Sequence, residues 1–248
     1  MRFLAFLVVL LLAGLRGAAA QEKIVFDVRE YGGLRLLGGE LYQPPGVGPH
    51  PTVILLHGCG GVTRNVRDWA ARIKEWGYVA LIVESYYYRY LDETCSSPPR
   101  MHATMWMRDA LGTREFLPEH KLFDPVRVVL LGFGHGGRGA LQLARGSPPR
   151  FMGAIALYPP CFAAKPKFTI PLLVMTGEAD DWMPPAACRA LGGEGGVAPE
   201  IVTYPGVQHG FDEDDADRTA FGHRIRGDAA AAADARERVK RFLDARLR

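Results

Sequence analysis

A glycine-spaced bend, Leu130-Leu131-Gly132-Phe133-Gly134-His135-Gly136-Gly137, joins an apolar run directly to a stretch with helical spacing. The run before it, Arg127–Leu131, has the β-rich composition of a strand buried on both faces. The stretch after it continues through Ala144. Glycines at every second position let a strand and the following helix approach closely, and they allow a backbone angle that other residues resist. Such a bend belongs to folds in which parallel strands alternate with helices.

The rest of the chain keeps that alternation. Lys23–Arg29 and Leu34–Tyr42 read as two strands joined by a turn at Gly32-Gly33. Thr52–Leu56, Tyr78–Val83, Met152–Tyr158, Leu172–Thr176 and Glu200–Tyr204 read as further strands. Helices are expected at Asn65–Trp76, at Met101–Leu117 (ended by Pro118), at Pro185–Leu191 and at Ala229–Leu247. In the last of these Ala233, Val239, Phe242 and Leu243 are expected to face inward. The pattern predicts an α/β fold: a mostly parallel sheet, helices on both faces, and an N-terminal antiparallel hairpin.

The 248 residues, 48% of them hydrophobic, suffice for one sizeable core, so residues 21–248 are expected to form a single domain. The net charge of +3 and the absence of a basic patch argue against nucleic acid as a partner. Residues 1–20 read as a signal peptide: Arg2, an apolar stretch from Phe3 to Leu15, then Ala18-Ala19-Ala20. That stretch is shorter than a membrane-spanning helix needs. The expectation is a secreted or periplasmic protein, not held in a membrane once the leader is cut, and monomeric.

Four cysteines remain after the leader, Cys59, Cys95, Cys161 and Cys188, and an oxidising compartment would let them pair. We favour Cys161 with Cys188, since both would lie in loops at one end of the sheet. Cys59 and Cys95 either form the remaining pair or stay as small, partly buried thiols. None has the paired short spacing of a zinc site. The acidic run Asp212 to Asp217 does not match a calcium loop and is read as a solvated loop. Neither metal nor cofactor is expected.

The bend has the frame of a nucleophile elbow, G-x-S-x-G, which also lies between a strand and a helix. Gly132 and Gly136 hold the outer positions, and Gly134 stands where the nucleophile belongs. Two partners follow in the order that the elbow's fold uses, a carboxylate and then a histidine. Asp180, just past a strand, is placed to orient an imidazole, with Asp181 as competitor or as cap of the short helix. His209, past the last strand, is the candidate base. His57-Gly58-Cys59-Gly60-Gly61 follows the third strand, so the backbone N–H groups of Cys59 and His135 are the candidate oxyanion donors. Ser85 and the cluster Tyr86, Tyr87, Tyr88 and Tyr90 follow another strand. The serine is read as a loop hydroxyl satisfying backbone groups rather than a replacement nucleophile. The tyrosines either line an aromatic pocket or cover the sheet end.

The segments HGCGG (57–61), GYVALIVES (77–85), GFGHGG (132–137), YPPC (158–161), GEADDWMPPAAC (177–188) and YPGVQHGFD (204–212), with the alanine-rich closing helix, together resemble the dienelactone hydrolase family. The resemblance implies an eight-stranded α/β-hydrolase fold, a small-molecule ester or lactone as substrate, and a Ser or Cys nucleophile. It places Gly134, Asp180 and His209 at the three catalytic positions. The glycine departs from that pattern. Three readings follow: weak hydrolysis by activated water, a non-catalytic protein binding a small carbonyl ligand, or an ordinary serine hydrolase in which Gly134 is a substitution.

Overall fold

In the computed structural model, residues 22–30, 33–96, 100–146, 151–161, 166–192 and 195–248 are described. The leader expected at 1–20 lies outside them. Eight strands form one sheet: β1 (Glu22–Glu30), β2 (Gly33–Tyr42), β3 (His50–Leu56), β4 (Val79–Glu84), β5 (Phe123–Phe133), β6 (Gly153–Leu157), β7 (Leu172–Gly177) and β8 (Glu200–Tyr204). Their spatial order is β1-β2-β4-β3-β5-β6-β7-β8. The six strands from β3 to β8 run parallel, while β2 is antiparallel to both of its neighbours. The α/β sheet and its opening hairpin therefore match the sequence pattern.

Strand alternation sorts the core into two layers. Ile54, Leu56, Leu81, Val83, Val128 and Leu130 pack under α2 (Ala103–Phe116) and α3 (His135–Ala144), against Trp106, Ala110, Ala140 and Leu141. The intervening residues Val53, Leu55, Ala80, Ile82, Val129 and Leu131 pack against α1 (Arg64–Glu75) and α5 (Ala229–Leu247) through Val66, Trp69, Ile73, Val239 and Leu243. With both faces covered, almost every residue of the central strands is apolar.

Three elements differ from the sequence reading. Strand β5 begins at Phe123, before Pro125, so the proline hid its first turn of pairing. In α5 the buried positions are Ala231, Ala232, Ala235, Val239, Leu243 and Leu247. Ala233 is exposed, because the buried face advances in steps of four from Ala231. Asp228 caps this helix, accepting the Ala231 N–H at 2.9 Å. A second, two-stranded sheet, β9 (Asp217–Ala220) and β10 (His223–Arg226), was not anticipated. The remaining helix, α4, is one turn, Ala186–Arg189. Cys161 is bonded to Cys188 and Cys59 to Cys95, so of the two alternatives for the latter, the paired one holds.

Candidate active site

The bend between β5 and α3 is built by close backbone approach. A Cβ on Gly132 would lie 2.3 Å from the Gly136 carbonyl oxygen, and one on Gly136 would lie 2.4 Å from the oxygens of Leu56 and His57. Only glycine fits at either position. Gly134 is different. Its φ of +48° is one that L side chains rarely adopt, yet the nearest atom to a Cβ there would be Gly58 Cα, 3.9 Å away. The site has room for a side chain and a backbone angle that resists one. Gly134 is fixed by its N–H to the Leu157 oxygen at 3.0 Å and by its own oxygen, which accepts from Arg138 N–H at 3.0 Å.

Two loops from the same end of the sheet face this bend. Asp180 Oδ2 lies 2.8 Å from His209 Nδ1. Its other oxygen, Oδ1, accepts the N–H groups of Trp182 (2.9 Å) and Met183 (2.7 Å). These bonds hold the carboxylate in one orientation, and it in turn fixes the imidazole, leaving Nε2 as the ring nitrogen available to a reactant. Both side chains are buried. The His209 ring is packed between Tyr158, at 4.5 Å between centroids, and Trp182, at 4.9 Å. Asp181 does not cap α4. It is turned outward, accepting the Arg224 N–H at 3.3 Å and lying 3.7 Å from His223, because the β9–β10 hairpin stands over it.

The loop after β3 is fastened from several sides. His57 is fully buried, and burial holds its pKa below the usual 6.5. Its Nε2 accepts the Ser85 N–H at 3.2 Å, so Nδ1 carries the proton and donates to the Gly58 oxygen at 2.7 Å. The Tyr86 hydroxyl is shared with Thr94 Oγ1 at 2.7 Å and lies 3.2 Å from the Cys59 oxygen. The Thr94 N–H donates to that same oxygen at 2.9 Å. The Cys59–Cys95 bridge ties the loop covalently to the segment after β4. Neither the Cys59 nor the His135 N–H has a backbone acceptor among the described residues. The His135 ring rests on Trp106, with burial and the neighbouring His209 lowering its pKa.

These groups enclose a cavity of about 220 Å³, lined by Cys59, Gly134, His135 and His209, with Tyr158 and Trp182 among its walls. The β9–β10 hairpin forms its roof through Arg218, Ala220, Phe221 and Ile225. Trp182 links roof to base, stacking on His223 at 5.1 Å. The acidic run is solvated only in part: Asp214, Asp215 and Asp217 are exposed, as the sequence suggested, but its first two residues are not. Asp212 is buried and accepts from Trp69 Nε1 at 2.6 Å and Asn65 Nδ2 at 3.0 Å, and Glu213 lines the cavity. Ser85 is buried too, but among the described residues its hydroxyl has no hydrogen-bond partner and does not satisfy backbone groups; its N–H is what binds, to His57. It does not line the cavity with Gly134. Tyr86, Tyr87 and Tyr88 line a separate cavity of about 630 Å³, and Tyr90 is exposed. Among the described residues no three His, Cys, Asp or Glu side chains gather as a metal site would need.

An eight-stranded, mostly parallel sheet with a strained bend after β5 defines an α/β-hydrolase fold. The chain belongs to the dienelactone hydrolase family, whose pattern matches residues 37–247. A similar curated protein is acylamino-acid-releasing enzyme 2 of Oryza sativa subsp. japonica, 30% identical over 149 residues. That match takes in 57% of this chain but only 18% of the relative, so the chain spans under a fifth of that protein's length. Among solved structures, the dienelactone hydrolase-like promiscuous phosphotriesterase P91 from metagenomic libraries superposes with a TM-score of 0.72 at 16% identity, covering 92% of this chain and all of that one. Esterase 2 of Thermogutta terrifontis superposes with a TM-score of 0.64 at 18% identity, covering 91% and 94%. At those identities the likeness is one of fold.

Proposed function

We propose that this chain is an ester or lactone hydrolase in which water, activated by His209, takes the place of a side-chain nucleophile. The observation that carries the reading is the 2.8 Å Asp180–His209 contact at the wall of the cavity that Gly134 lines. The substrate is a small ester or lactone, as the family suggests. Nε2 of His209 takes a proton from water beside Gly134, and the hydroxide adds to the carbonyl carbon. The N–H groups of Cys59 and His135 receive the oxyanion, while Asp180 stabilises the imidazolium. Collapse of the tetrahedral species expels the alcohol. Hydrolases stripped of their nucleophile keep ~10³–10⁴-fold acceleration over water from the remaining groups, and that sets the rate expected here.

Gly134 itself favours a second reading, a pocket that binds a small carbonyl compound without turning it over. Turnover of p-nitrophenyl acetate by the purified protein and by His209→Ala separates the two. Hydrolysis that the variant loses supports the water mechanism; no hydrolysis by either, with saturable binding of a lactone, supports the binder. The apolar opening at 1–20 and the two disulfides support export to an oxidising compartment. No helix among the described residues is long and apolar enough to cross a membrane.

A further inference from the structure

A water mechanism alters the proton inventory of the reaction. With a serine, one imidazole serves twice in succession, first taking the serine proton and passing it to the departing alcohol, then repeating with water. Without it, water attack and alkoxide departure occur on a single tetrahedral species. A second proton donor in the cavity would let the alkoxide leave while His209 still holds the proton from water.

Among the described residues, Glu213 is the one carboxyl side chain that lines the cavity. The turn after His209 puts it there. Glu213 N–H donates to the Gly210 oxygen at 3.0 Å, folding the chain back on itself. Gly210 takes a φ of +65°, and a Cβ on it would lie 3.0 Å from Glu213 Oε1. The carboxyl group therefore lies beside the residue next to His209. Its Oε2 is 2.7 Å from the guanidinium of Arg218 on β9, and three-quarters of its side chain is covered. Burial pushes its pKa up and neighbouring Asp212 adds to that, while Arg218 and His209 pull the other way. Burial wins because Arg218 is half exposed and its charge is screened by solvent.

We propose that Glu213 is a catalytic acid that protonates the departing alkoxide, working opposite His209 as base; this rests on the water mechanism above. The steps balance. A water O–H bond breaks, its proton goes to His209 Nε2, and a C–O bond forms to the carbonyl carbon. The C–O bond to the leaving group breaks as Glu213 gives its proton to that oxygen. Acid and alcohol leave behind an imidazolium and a carboxylate. One proton passed from His209 to Glu213, side chains two residues to either side of Phe211 in one tight turn, restores both groups.

The test compares two acetates with the same acyl group, p-nitrophenyl acetate, whose phenolate leaves without a proton, and ethyl acetate, whose ethoxide needs one. Glu213→Gln keeps the size of the side chain and an oxygen for Arg218. It is expected to lower kcat/KM for ethyl acetate by about 10²-fold or more, the usual worth of an acid catalyst. For p-nitrophenyl acetate the change should stay within about 3-fold. Equal losses on both esters would mean that Glu213 only props up the hairpin and would overturn the proposal. A wild-type protein inactive on both esters would bring down the hydrolase reading itself. Should the variant not fold, the wild-type rates across a series of phenyl and alkyl acetates decide. A shallow dependence on leaving-group basicity supports proton donation, and a steep one overturns it.

Discussion

Gly134→Ser adds a hydroxymethyl group at the position where the proposed mechanism lacks a side-chain nucleophile. Two costs can be separated. Steric crowding is absent, because a Cβ there would approach nothing closer than 3.9 Å. Backbone strain is present, because the φ of +48° is one that L side chains rarely adopt. A single strained residue of that kind costs about 1–3 kcal/mol. For a chain of this size that lowers the melting temperature by roughly 2–12 °C. The gain lies in rate. Removing the nucleophile from an intact triad costs up to about 10⁶-fold, so restoring one beside a base held by Asp180 is expected to raise p-nitrophenyl acetate turnover by at least ~10². The serine should also react with a fluorophosphonate probe and show an acyl-enzyme burst. Both signals should vanish when His209→Ala is added. A variant that melts within the stated range yet shows neither labelling nor burst would refute the assignment of His209 and Asp180 as the partners of position 134.

Two further predictions concern residues packed behind the site. Gly136→Ala forces a methyl group to within 2.4 Å of two backbone oxygens, on Leu56 and His57, neither of which can rotate away. A stability loss of about 3 kcal/mol or more is expected, and a thermal melt within roughly 2 °C of wild type would contradict the packing described. His57 is buried as the neutral ring, with its pKa lowered from 6.5, so the unfolded chain takes up the extra proton first. The stability it protects is complete above pH 6.5 and is lost as pH falls from there through the folded-state value. Urea unfolding from pH 8 to pH 5 should therefore show a shallower decline in His57→Gln than in wild type. The slope will not vanish, since His135 is also held below its usual range. Identical slopes would show that His57 is not protonated preferentially in the unfolded chain.

What could be read from the sequence divides by how far apart the cooperating residues lie. The glycine bend is legible because its reason is local: Gly132 and Gly136 touch each other across four residues. The parallel strands are legible because burial on both faces leaves short unbroken apolar runs. That Asp180 and His209 come within hydrogen-bond distance could be expected from their places after β7 and β8, neighbours in the sheet. The roof could not. Its strands, Asp-Arg-Thr-Ala and His-Arg-Ile-Arg, are four residues long and mostly polar, with too few apolar residues to mark a buried face. Asp212 and Glu213 were hidden for a related reason. An acidic run reads as solvated unless donors are brought to it, and the donors for Asp212, Asn65 and Trp69, come from α1, more than 140 residues earlier. The same packing that conceals these carboxylates from a linear reading gives them their chemistry. Burial raises the pKa of Glu213 against the pull of Arg218, and a carboxyl group so shifted in a cavity wall suits the role of proton donor. The acid proposed here therefore depends on the hairpin that the sequence did not announce, so deleting β9 and β10 should abolish ethyl acetate hydrolysis.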